Sequence, residues 1–169
     1  MTTIAPVSHD DVQDVVRAHI ALQHVAYAHI ADGGHSRALW GSFERRVASL
    51  HDEVDAAAEA RTSDREPDAI HLVARGDRGA VVGVVAAFRG VGQWERELFG
   101  PAWRHAGPEW CLDTLYVMPG VRGAGLGLRL MDAALPGRRP AYLWVICDNV
   151  DAIRFYERPA FHPDGFAGR

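Results

Sequence analysis

Apolar residues recur along this chain at two spacings, and the switch between them outlines a fold. After a short β-prone stretch, Thr3 to Val7, the positions Val12, Val15, Val16, His19, Leu22 and Ala26 follow helical spacing. They predict an amphipathic helix that ends near Ile30, before Gly33-Gly34. Ser8, followed by Asp10 and Asp11, is its start signal: a capping hydroxyl, then acidic residues suited to the positive end of a helix dipole. Leu39, Phe43, Val47, Leu50, Val54 and Ala57 are spaced four, four, three, four and three apart, which predicts a second helix with a core-facing stripe. Arg61 to Asp68 reads as a charged linker.

From Ile70 the pattern is that of strands. Ile70 to Arg75 and Val81 to Phe88 flank Gly76-Asp77-Arg78-Gly79, a hairpin signal. Gln93 to Trp110 is irregular and rich in tryptophan and charge; it fits a lid, half of a substrate pocket, or a connecting loop with a short helix. Cys111 to Val117 is a strand, Gly125 to Leu135 a helix, Pro136 to Pro140 a turn, and Ala141 to Cys147 a strongly apolar strand. Asp148 or Asn149 then caps a helix to about Arg158, and a stub from Ala160 has room to begin another strand. The order is β-α-α-β-β-β-α-β-α, with no repeat or low-complexity tract, so residues 1–169 read as a single domain.

Composition narrows the partners. A length of 169 residues suits one core, and 48% hydrophobic with 24% charged residues is ordinary for a soluble protein. A net charge of −4 argues against general nucleic-acid affinity. All 18 basic residues are arginine, so the chain has no lysine of its own to modify. Cys111 and Cys147 fall within predicted strands and read as buried free thiols of a reducing compartment. The first residues hold no apolar signal segment and no run is long enough for a membrane span, which points to the cytoplasm.

The chemistry concentrates between Leu112 and Leu135. A strand ending in Leu-Tyr-Val-x-Pro leads into Arg122-Gly123-Ala124-Gly125-Leu126-Gly127-Leu128 and then a helix. Strand, glycine turn and helix can aim several backbone N–H groups at one anion, with Arg122 adding a fixed positive charge. A Walker A loop would need Gly-Lys-Ser/Thr where this chain has Gly127-Leu128-Arg129, and the dinucleotide fingerprint needs a third glycine where Leu128 and its neighbours stand. The segment resembles the acyl-CoA pyrophosphate loop of the GNAT superfamily of N-acyltransferases. Tyr142 to Val145, Asp148-Asn149, Ala152, Phe155-Tyr156-Glu157-Arg158 and Phe161 are similar to the family's last block. Pro159-Ala160 departs from it, and only eight residues follow Phe161.

The resemblance implies an α/β (α+β) fold: a mixed, largely antiparallel central sheet of about six strands and about four helices, its final strand short or missing. It implies acetyl transfer from acetyl-CoA, as acyl-donor co-substrate, to a primary amine within one ternary complex. The acceptor expected is a small cationic amine or peptide amine, given Glu95, Glu97, Glu109 and Asp113. Main-chain groups of Leu115, Tyr116 and Val117 would hold pantetheine and the acyl carbonyl. The N–H groups of Arg122, Gly123, Ala124, Gly125, Leu126, Gly127 and Leu128 would hold the pyrophosphate. Asn149, Ala152 and Tyr156 share one helix face. Asn149 reads equally as a cap or as a cofactor contact, and Tyr156 as a half-buried aromatic or, by resemblance, the general acid. For the general base, alternation puts Asp113 on the same face as Leu115 and Val117. Glu109 is the second choice, and ordered water a third. A homodimer is a family tendency. His19, His24 and His29, five apart, fan around a helix, and no zinc spacing or nucleophile elbow occurs, so no metal is expected. A non-catalytic acyl-CoA-binding or regulatory domain of the same fold is the competing reading, motivated by the short C-terminus.

Overall fold

The computed structural model describes residues 2–28, 33–100, 103, 107–159 and 161–165. Five strands form one sheet in chain order: β1 (Thr3–Pro6), β2 (Ala69–Arg75), β3 (Val81–Arg89), β4 (Trp110–Val117) and β5 (Ala141–Tyr142). The first four run antiparallel, and β5 lies parallel to β4. The helices are α1 (Val12–Tyr27), α2 (Gly33–Gly41), α3 (Phe43–Thr62), α4 (Gln93–Phe99), α5 (Leu126–Ala134) and α6 (Val150–Glu157). No described helix is long and apolar enough to cross a membrane.

Alternation along the strands sends apolar side chains to both faces of the sheet, and each face has its own helices. Val73 and Val84 face α1, α2 and α3, packing with Val12, Val16, Ile20, Leu39 and Leu50. Leu72, Val85, Ala87 and Leu112 face α5, packing with Leu126, Leu130, Met131 and Ala134. The expected Ser8 cap works differently from a hydroxyl accepting a helix N–H: a 3-10 turn, His9–Asp11, precedes α1, and Ser8 N–H and Oγ–H both donate to Asp11 Oδ2, at 2.9 and 2.6 Å.

Three differences from the sequence reading, a split helix, a shortened strand and an exposed Cys147, have local causes. The second predicted helix is two, α2 and α3, broken at Ser42, whose Oγ turns back to donate to the Leu39 carbonyl at 2.6 Å. The apolar spacing passes through the break unchanged because both pieces cover the same core. Residues 93–99 form a short helix where a loop with such a helix was one option. The strand expected over Ala141 to Cys147 keeps only two residues, since Trp144 bonds to α4 instead of β4, and Cys147 is exposed; both cysteines are free thiols. Among the described residues the sheet has five strands, in keeping with about six and a final strand that is short or missing. Ala160 lies outside the described residues, as does the end expected for the first helix near Ile30, and Phe161 to Gly165 form no strand.

Candidate active site

β5 pairs with β4 only at Trp110↔Ala141 and Cys111↔Tyr142, and beyond this the two chains part. The closed end is clamped: Trp110 lies between the guanidinium groups of Arg89 and Arg139, 5.2 and 4.7 Å from the ring centroid, and Glu66 pairs with both arginines. From Leu112 onward no strand among the described residues pairs with β4 on that side. Met118 N–H donates to the Val82 carbonyl, so by alternation the main chain of Tyr116 faces β3, while that of Leu115 and Val117 faces the open edge. The Val117 carbonyl confirms this, because it accepts from Arg122 Nε at 3.1 Å. Two residues of the expected backbone row thus face the gap, whereas the main chain of Tyr116 bonds to β3 and its side chain packs on the face covered by α1 and α3.

The open edge runs into the glycine turn. Gly123 and Gly125 take left-handed conformations, φ 83° and 75°, with open space where a Cβ would point. Gly125 caps α5, and Arg129 N–H is the first to bond back, to the Gly125 carbonyl at 3.1 Å. The N–H groups of Leu126, Gly127 and Leu128 are left without helical acceptors at the positive end of the helix. Gly127 has a different cause: a Cβ there would stand 3.1 Å from the Phe155 ring of α6. Ala124 and Arg122 complete the turn.

On α6, Asn149 is the cap, its Oδ1 accepting from Ala152 N–H at 3.3 Å. Tyr156 packs against the α5-side core and Phe161, and burial, followed by the nearby Tyr27 hydroxyl, holds its phenol well above the ordinary range. Tyr27 stands on the other face of the sheet, where Tyr116 donates its hydroxyl to that of Tyr27 at 3.3 Å. Burial likewise raises Tyr116 far above a free phenol. Three tyrosines from α1, β4 and α6 are thereby gathered beside the gap.

Asp113 is placed differently from the sequence reading. Pairing jumps from Ala86↔Thr114 to Ala87↔Leu112, so Asp113 is the extra residue of a β-bulge. It faces α1 and α3, opposite to Leu115 and Val117, exposed at a cavity of about 180 Å³ that His19, Arg46 and His71 also line. Its carboxylate accepts from Thr114 Oγ1 at 2.9 Å. Glu109 is exposed just before β4, at the closed end. Glu95 is no pocket-wall charge: it is 0% exposed and accepts from Gly92 N–H at 2.5 Å, Tyr142 Oη at 3.1 Å and Trp144 Nε1 at 2.7 Å. Those partners are distant in sequence, so only the capping glutamate three residues after Gly92 was readable. Arg46 does carry a sequence signal. It follows Phe43 by three residues and precedes Leu50 by four, which sets a charge on the core face of α3. Among the described residues no group of three or more metal-ligating side chains occurs.

A model of the acetyltransferase (GNAT) family matches residues 36–161. A search of curated proteins returned no match. Among solved structures, the PaiA N-acetyltransferase of Thermoplasma acidophilum in complex with coenzyme A is similar at a TM-score of 0.72 and 16% identity, covering 99% of this chain and 94% of that one. The ribosomal-protein-alanine N-acetyltransferase of Brucella melitensis gives 0.56 at 17%, covering 99% and 96%. An aminoglycoside 6'-N-acetyltransferase of Acinetobacter haemolyticus gives 0.59 at 16%, covering 95% and 91%. At these identities the likeness is one of fold.

Proposed function

This chain belongs to the acetyltransferase (GNAT) family, and on that premise we propose that it transfers an acetyl group from acetyl-CoA to a primary amine by direct attack in a ternary complex. One observation carries the reading. The unpaired edge of β4 is followed, across the turn from Pro119 to Gly125, by three N–H groups that have no helical acceptor, and Arg122 bridges back from that turn to the Val117 carbonyl. An extended arm with amide groups and a pyrophosphate at its end suits both parts of that surface.

In this reading the Leu115 and Val117 main chains align the pantetheine arm, and the turn from Arg122 to Leu128 holds the pyrophosphate. Tyr116, Asn149 and Ala152 line the approach. Acetyl-CoA, as substrate, supplies the thioester carbonyl that the amine attacks. Fixing amine and thioester side by side provides most of the acceleration. Asp113 takes the proton that the acceptor amine must lose, with Glu109 as the second choice for that task. Tyr156, kept protonated by burial, donates to the departing sulfur. The acceptor is a small cationic amine or a peptide amine, drawn to the carboxylates at the cavity.

Thermal unfolding with CoA and with acetyl-CoA tests the cofactor site, because a ligand bound only by the folded state raises the midpoint. Stabilisation by both is expected, and its loss in Gly125→Glu. No stabilisation at millimolar ligand overturns the reading. Release of CoA thiol with an amine panel tests transfer. CoA binding with no release for any amine would favour a binding or regulatory domain.

A further inference from the structure

Among the described residues, Arg46 and Asp113 line the cavity between the sheet and helices α1 and α3 without an ion-pair partner. Arg46 is partly buried there, and its Nε donates to Ser42 Oγ at 2.9 Å; Ser42 in turn donates to the Leu39 carbonyl. That chain of bonds aims the guanidinium. Its two terminal nitrogens meet no acceptor among the described residues. Across the cavity Asp113 accepts only the Thr114 hydroxyl, and it is near enough to Arg46 to act on it electrostatically without forming an ion pair.

The other titratable groups of the cavity are accounted for. Glu53 Oε2 lies 2.6 Å from His71 Nε2, and its Oε1 accepts from Ser49 Oγ at 3.0 Å. His19 is neutral at physiological pH, since burial, then Arg46 and His71, lower it to about 4. A partly buried guanidinium with an oriented, unused fork matches the geometry of a carboxylate. A purely cationic amine would instead meet it as a like charge.

We propose that this cavity binds a free amino acid, its carboxylate on Arg46 and its amine at Asp113. The proposal rests on the acyl-transfer reading above and narrows its acceptor to amines that also carry a carboxylate. The positions agree with that chemistry. Asp113 lies on β4 two residues past Cys111, where β5 stops pairing, so an amine held there stands at the open edge that would carry the thioester.

The test pairs amino acids with their carboxamides: glycine with glycinamide, L-alanine with L-alaninamide, L-threonine with L-threoninamide. Binding is measured by calorimetry with and without CoA, and transfer by thiol release. The acid of at least one pair is expected to bind about tenfold or more tightly than its amide, as for a charge-assisted pair. Arg46→Met should remove the difference by weakening the acid alone, while Arg46→Lys keeps part of it. Ser42→Ala, which frees the guanidinium without removing its charge, serves if Arg46→Met does not fold, and should reduce the difference. Equal binding of acids and amides overturns the proposal, as does an unchanged ratio in the folded variants, or CoA binding with no binding of any acid. Failure of CoA to bind, with the acid preference intact, overturns the transfer reading and leaves the amino-acid site standing.

Discussion

The ring of Phe155 lies against the backbone of Gly127, so that α6 is seated directly on the first turn of α5. The residue that completes the glycine turn is thus also the contact that places Tyr156, Phe155's neighbour, beside the gap. Gly127→Val should cost about 2 kcal/mol by overpacking. Gly127→Ala should stay near neutral, because about 1 kcal/mol of helix propensity offsets the tighter contact. Phe155→Leu should recover most of the Gly127→Val loss. By contrast, Gly125→Ala meets open space but a left-handed backbone, costing roughly 1 kcal/mol that Phe155→Leu leaves untouched. Urea unfolding of the double-mutant cycle decides the matter; simple additivity at Gly127 and Phe155 would refute it.

That contact shows which parts of the molecule the sequence could reveal. The turn from Arg122 to Leu128 was readable because positive φ and a helix N-terminus leave local marks, glycine and a break in apolar spacing. Gly127's packing role was not, because its partner is Phe155. Alternation alone places Asp113 on the opposite face from the one it takes, because it assumes a continuous ladder, and one bulged residue reverses it. The stretch Ala141 to Cys147 looked like a strand because its aromatic and aliphatic residues do pack, yet Trp144 packs on Phe99 and Trp94 of α4. Hydrophobic pattern reports that a segment is buried and leaves open against what.

Tyr156→Phe should lower kcat about tenfold to a hundredfold while leaving CoA stabilisation intact. Burial raises the phenol, which favours the protonated donor, so wild-type kcat should not fall from loss of this proton as pH approaches 10, the ordinary phenol value. A pH–rate profile that falls below pH 10 in the wild type, and loses that fall in Tyr156→Phe, would show the hydroxyl titrating and contradict the assignment.

His19 gives the fold an acid limit. Its folded value of about 4 lies below the free value of 6.5, so the unfolded chain binds more protons between the two and stability falls as pH drops through that window. The loss should be on the order of 3 kcal/mol by pH 4. Asp11 acts lower: burial raises it, but the hydrogen bonds from Ser8 and Arg75 outweigh that and bring it below 3.8, so its share is lost only beneath that pH. His19→Leu should flatten the stability curve between pH 6.5 and 4. Urea midpoints at pH 7, 5.5 and 4.5 give the comparison, and parallel curves for both proteins would show that His19 is not the titrating group.

Glu95 joins α4 to the chain that leaves β4, and a single-atom change exposes how. Its Oε2 takes Gly92 N–H and the Tyr142 hydroxyl, and its Oε1 takes the Trp144 indole N–H. Glu95→Gln keeps the shape but replaces one acceptor by a donor. With the amide nitrogen toward Trp144, the indole N–H is stranded. With it toward Gly92, the Tyr142 hydroxyl can turn to accept, but the backbone N–H cannot. Either way one buried donor loses its partner, at about 1–3 kcal/mol. Glu95→Leu strands all three and should cost more than Glu95→Gln, despite adding apolar surface to a core position. In both variants the Trp144 indole should become more mobile, seen as a weaker near-ultraviolet circular dichroism signal at unchanged far-ultraviolet signal. A Glu95→Leu protein as stable as wild type would mean that these donors find other acceptors, and that the aromatic packing alone draws the chain away from β4.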